Sequence, residues 1–160
     1  MFIQTFSADH KTEQPTIAFF EGIDAVKTVV LESLYNKERK ILTIAPEVNF
    51  SWEIGPDFVE EYVSQKKLRN IKTRSLWEKG VDEGVFKQYY QDADIKMLPE
   101  VMKKQFKTTI FIYDDKILYI SSKKNAYALL VTSKKHSDLM RALFEGVWLS
   151  STKHLLIKTV

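Results

Sequence analysis

Cysteine is missing from these 160 residues, which excludes disulfides and thiolate metal sites and suits a reducing compartment. Glycine and proline are sparse, at five and four. No cluster of glycines forms a phosphate-cradling loop, and no Gly-x-Ser-x-Gly elbow offers a nucleophilic serine. The three histidines, His10, His136 and His154, lack the i, i+4 or short-loop spacing of a metal site, so they are expected in solvent. Neither a metal nor another cofactor is expected. No apolar run reaches the ~18 residues of a membrane span. The start, MFIQTFSADHKTEQP, has neither the cationic head nor the apolar stretch of ~7 to 15 residues that a secretory signal needs. The chain is therefore expected to be soluble and cytoplasmic, with no membrane partner. A block of one charge sign is also lacking: 24 Lys and Arg are interspersed with 21 Asp and Glu, for a net charge of +3. That balance permits non-specific nucleic-acid binding without indicating it.

What is present is a chain of 44% hydrophobic and 28% charged residues, suited to one globular core. Residues 1–15 read as a polar lead-in closed by Pro15, residues 16–151 as the domain, and residues 152–160 as a tail. Thr16 to Phe20 predicts a strand, and Ile23 to about Asn36 a helix with Ile23, Val26, Val30 and Leu34 on one face. Lys40 to Ala45 (KILTIA) has the continuous apolar character of a strand buried on both faces. Asp57 to Lys67 predicts a helix, with Pro56 in its first turn, acids at its start and Lys66 and Lys67 at its end. Ile71 to Trp77 is a third strand, so the first half reads β-α-β-α-β and predicts a parallel sheet. A weaker helix over Asp82 to Asp92, interrupted by Gly84, and a short strand from Ile95 to Leu98 follow. Thr108 to Tyr113 and Lys116 to Ser121 flank Asp114-Asp115 as a β-hairpin, and Ala126 to Thr132 adds a strand. Ser133 caps a last helix, predicted to turn Leu139, Leu143 and Val147 inward with Phe144 and Trp148 beside them.

Read together, PTIAFFEGIDAV, KMLPE, IFIYDDKILYIS and SKKHSDLMRALFEGVWLSS make the chain resemble the effector domain of TrmB-type transcriptional regulators. The resemblance covers about Pro15 to Ser151. It implies an α/β fold, a single phospholipase D-like domain with a mixed sheet flanked by helices. It also implies a homodimer and a small-molecule effector, sugars in longer relatives. DNA would be contacted only through a winged-helix domain that precedes this one in the family and is not expected within these residues. Active phospholipase D-type enzymes carry His-x-Lys-x-x-x-x-Asp on the first hairpin strand, where His is the nucleophile and Lys neutralises phosphate charge. With Asp114 as the Asp, Lys107 stands for the His and Thr109 for the Lys. An ammonium cannot replace the imidazole nucleophile, and a threonine supplies no charge. The chain is therefore expected not to be an enzyme; Asp114 equally suits a hairpin turn. A phosphodiesterase with altered catalytic residues and a protein or nucleic-acid interaction module are the alternatives.

The candidate ligand residues are Phe50, Trp52 and Glu53 after the second strand and Trp77 and Glu78 after the third. If those strands are parallel neighbours, both groups emerge at the carboxyl edge of the sheet, where open α/β sheets bind ligands. An indole beside a carboxylate suits a sugar ring or a cation; the tryptophans equally suit a cover for the core ends. The lysine pairs 66–67, 103–104, 123–124 and 134–135 read as solvated faces or, if gathered, as a phosphate-binding surface. Phe86, Tyr89 and Tyr90 read as an apolar patch available for dimerisation.

Overall fold

Two strands in the middle of the chain's sheet, TIFIY and KILYI, are apolar at nearly every position, and the fold shows why. In the computed structural model, which describes residues 13–153, they lie inside one eight-stranded sheet with helices on both faces. His10, His154 and most of the expected lead-in and tail lie outside the described residues.

The strands are β1 (Thr16–Glu21), β2 (Lys40–Ala45), β3 (Lys72–Trp77), β4 (Ala93–Met97), β5 (Thr109–Tyr113), β6 (Lys116–Ile120), β7 (Tyr127–Thr132) and β8 (Thr152–Lys153). Their order across the sheet is β1-β7-β6-β5-β2-β3-β4-β8. The helices are α1 (Ile23–Glu32), α2 (Phe50–Ile54), α3 (Pro56–Leu68), α4 (Glu83–Tyr89) and α5 (Lys134–Ser150). The α/β class with a mixed sheet is thus as expected, but the parallel part is not formed by the first three strands. β2, β3 and β4 are parallel neighbours, whereas β1 crosses to the far edge and pairs antiparallel with β7, Thr16 opposite Thr132. The β-α-β rhythm is the same for either neighbour, so local pattern could not choose between them.

Side-chain alternation divides the strands between two cores. On one face Ile41, Phe111, Tyr113, Leu118 and Ile120 meet Val26, Val29, Val30 and Leu34 of α1 and its 3₁₀ extension, together with Phe58 of α3. On the other, Ile44, Leu76 and Ile112 meet Phe144 and Trp148 of α5. Ser133 caps α5 as predicted, its hydroxyl accepting from His136 N. The predicted inner stripe of α5 is corrected: Leu139 and Leu143 are more than half exposed, and the helix turns Ser137, Met140, Phe144, Val147 and Trp148 to the sheet. The two aromatic rings dominate the choice because each buries far more area than a leucine.

β5 and β6 form the expected hairpin, with Tyr113 opposite Lys116 across the Asp114-Asp115 turn. Asp114 has a φ of 45°, the left-handed region that aspartate tolerates better than most residues. Residues 50–54, expected as loop, form α2, capped by the Asn49 side chain and ended at Gly55, whose φ of 118° favours glycine. No described helix is long and apolar enough to cross a membrane.

Candidate ligand-binding cavity

β2 and β3 run parallel, so the segments after Ala45 and Trp77 leave the sheet at the same edge, and β5, antiparallel to β2, begins there. Helices α2, α3 and α4 arch over this end and enclose a cavity of about 420 Å³. That volume lies in the range of ordinary small-molecule sites.

The floor is the sheet face that elsewhere is apolar. Here it carries hydroxyls: Thr43 on β2, opposite Ser75 on β3, with Thr73 and Thr109 also lining the cavity. Thr109 is buried, and its Oγ1 has no hydrogen-bond partner among the described residues. From α3 come Val59, Tyr62 and Lys66. The wall opposite is aromatic: Trp77 packs edge-on against Tyr90 at 4.8 Å between ring centroids, and Trp52 lies 6.2 Å from Tyr90 and 6.4 Å from Tyr89. Trp52 is 36% exposed at the mouth, whereas Trp77 is buried.

Lys66 is the chemically distinctive residue. It is 5% exposed, and among the described residues its Nζ has one hydrogen-bond partner, Thr73 Oγ1 at 3.5 Å, with no carboxylate in ion-pair range. Burial holds its ammonium below the usual lysine range; the charge of Asp92 opposes that shift, and Lys67 and Lys72 add to it. Burial likewise raises the Tyr62 and Tyr90 phenols, which keep their protons.

The acidic groups of the lining are already engaged. Glu47 pairs with Lys79 at 3.3 Å, and the Asp82 carboxylate accepts from Val85 N at the start of α4.

The structure separates the residues singled out in the sequence. Trp52 and Trp77 line the cavity. Phe50 lies in the core beneath α1, with Phe58 at 6.0 Å. Glu53 accepts from Lys123 N at 2.7 Å, and the buried Glu78 accepts from Glu47 N at 3.1 Å and Lys104 N at 2.6 Å. Both carboxylates tie loops together.

Of the hairpin residues, Lys107 is exposed, Thr109 faces the cavity, and Asp114 lies at the other end of β5, about 16 Å along the strand. Asp114 accepts from the N–H groups of Lys37 and Glu38, and its carbonyl accepts from Arg141 Nη2. It fastens the hairpin to the segment before β2 and to α5. Tyr90 faces the cavity and Phe86 packs beside it, so the aromatic residues of α4 and its end belong to this wall more than to an outer patch. His136 is exposed and its Nδ1 meets Ser133 Oγ; no group of three metal-ligating side chains occurs among the described residues.

Lys66 was legible in one respect. Phe58, Val59, Tyr62 and Val63 define the inner face of α3, and a residue three or four positions on shares that face. As a member of a lysine pair it is expected on a solvated face or, if such pairs gather, on a phosphate-binding surface; the fold buries it singly. The hydroxyl floor had no sequence signal of its own, because it forms only when β2, β3 and β5 are laid side by side.

No protein-family model and no curated protein matches this chain. Solved structures do. NucT from Helicobacter pylori superposes with a TM-score of 0.66 at 9% identity, over 88% of this chain and 99% of that one. Nuc from Salmonella typhimurium, a phospholipase D family member, gives 0.65 at 13% identity over the same shares. TrmBL2, an archaeal chromatin protein with a novel mode of DNA binding, gives 0.55 at 13% identity over 86% of this chain and 55% of its own. Phosphatidylserine synthase from Haemophilus influenzae Rd KW20 gives 0.56 at 12% identity, over 95% of this chain and 42% of that one. The expectation that this chain is not an enzyme is corrected by these matches: a phospholipase D family member and a phosphatidylserine synthase share its architecture, so the fold gives no ground for setting catalysis aside. What the matches establish for this chain is its architecture, a phospholipase D-like domain with a TrmB-like protein among its structural neighbours.

Proposed function

We propose that this chain binds a small molecule in the cavity beneath α2, α3 and α4, and that it serves as the effector-sensing domain of a TrmB-like transcriptional regulator. The observation that carries this reading is the cavity itself, where an aromatic wall faces a floor of hydroxyls and a buried amine at the carboxyl edge of parallel strands. In this reading DNA is contacted by a winged-helix domain of the TrmB type, and the effector acts through its different affinities for two arrangements of the regulator. A thermal-shift screen of sugars, sugar phosphates, nucleotides and aromatic acids tests it. A ligand at ~100 times its Kd is expected to stabilise the domain by about 2.7 kcal/mol, a shift of several degrees. Trp52→Ala, at the exposed mouth, is expected to remove that shift; a full panel without a hit overturns the sensing role.

The enzyme neighbours favour a second reading, in which the same cavity acts on the molecule it holds. Turnover of bis(p-nitrophenyl) phosphate above the buffer rate, lost in Lys66→Met, would support it. A rate unaffected by that substitution would count against catalysis in this cavity.

A further inference from the structure

We infer that the molecule bound in this cavity is an aromatic anion, with its carboxylate or phosphate oxygens on Lys66 Nζ and its ring against Trp52, Trp77 and Tyr90. The inference rests on the cavity's being a ligand site and adds the charge and shape of the ligand.

The charge follows from what each lining group already does. Glu47 is paired with Lys79, and the Asp82 carboxylate is spent on the cap of α4. Glu53 and Glu78, beside the two tryptophans in sequence, hold backbone N–H groups of other loops. Among the described residues each lining carboxylate thus has a partner of its own, whereas the buried lysine has none of opposite charge. Lys66 is in the opposite position: nearly all of its surface is buried, it has no carboxylate in ion-pair range among the described residues, and its one hydrogen bond is long. A buried cation in such surroundings lacks the partner that normally offsets its loss of hydration. An oxyanion in the cavity supplies that partner.

The hydroxyls extend the same site. Thr73 already meets Lys66, and Thr43, Ser75 and Thr109 line the same cavity. Each hydroxyl can donate to an oxyanion, and Thr109 Oγ1 is buried without a partner among the described residues. A neutral sugar would satisfy hydroxyls but leave Lys66 uncompensated. The rest of the lining favours a flat body, since Trp52, Trp77 and Tyr90 form a continuous aromatic wall.

The test compares two anionic probes, indole-3-acetate and phenyl phosphate, with their neutral counterparts, indole and phenol. Each is titrated into the full chain and into Lys66→Met and Trp52→Ala, with tryptophan fluorescence and thermal shift as readouts. In the wild type at least one anionic probe is expected to bind ten-fold or more tightly than its neutral counterpart. Which of the two does so distinguishes a carboxylate from a phosphate ligand. Lys66→Met is expected to abolish the preference for the anion while leaving the weak neutral binding in place. Trp52→Ala is expected to weaken all probes that bind. Equal binding of anion and neutral by the wild type, or a preference that persists in Lys66→Met, overturns the anion assignment and leaves the cavity reading standing. Absence of binding by all four probes overturns the assignment and also counts against the cavity as an aromatic-ligand site. Lys66→Met, which keeps an unbranched stem on α3, is expected to melt at or above the wild-type temperature, so a lost preference is not attributable to unfolding.

Discussion

At Lys66, one amine links the stability of the domain to its proposed use. A basic group whose pKa is lower in the folded than in the unfolded chain, here lowered from 10.5, binds its proton less tightly when folded, so stability rises with pH between the two values. Below that window the buried charge is a cost. Lys66→Met is therefore expected to raise the melting temperature at pH 7, with the gap to wild type narrowing as pH approaches 10. The charges of Asp92, Lys67 and Lys72 act on this amine and are felt only in the wild type, so the difference reads Lys66 together with those interactions. A gap independent of pH would mean that the amine binds its proton equally tightly in the folded and unfolded chain. Asp114 contributes oppositely. Its carboxylate accepts from two backbone N–H groups, so Asp114→Ala is expected to cost about 1–3 kcal/mol in urea unfolding without weakening any ligand of the cavity. A loss of binding at unchanged stability would return this aspartate to the site.

Among the elements, α5 shows most clearly how packing chooses between faces. Its leucines and its aromatic residues recur at compatible helical spacing, and both stripes are apolar enough to be buried. The sheet accepts Phe144, fully buried and stacked on Trp148 at 5.7 Å, and leaves Leu139 and Leu143 outside. Phe144→Ala is expected to cost about 3–5 kcal/mol. Leu139→Ser and Leu143→Ser are expected to stay within about 0.5 kcal/mol of wild type, as surface changes do. Equal costs for the two stripes in chemical denaturation would show that α5 is seated otherwise. Helix α2 presents the converse case, since its five residues are too short for a periodic signal. Its start was written in Asn49 and its stop in Gly55, and only those punctuation residues were available to reveal it.

For the whole molecule, the edge occupied by β1 bears on assembly. Ile17 and Phe19 are 73% and 60% exposed, and β1 pairs with β7 on one side only among the described residues. An exposed apolar edge strand is a template for a second copy of itself. If the homodimer that the family resemblance implies forms through this edge, Phe19→Ser is expected to lower the mass measured by light scattering relative to wild type. Equal masses for the two would place any association elsewhere.

The sequence by itself determined the α/β class, most of the strands and helices, the hairpin across Asp114-Asp115 and the cap of α5, because those features rest on periodicity and turn chemistry within a few residues. It also brought Trp52 and Trp77 to one edge, since parallel strands release their following segments on the same side. Only the tertiary structure decided that β1 pairs with β7, that α5 turns Phe144 rather than Leu143 inward, and that Lys66, which meets Thr73, shares a cavity with Thr43, Ser75 and Thr109. Those choices compare contacts between residues distant in the chain, and their free energies arise only when the strands and helices are packed together.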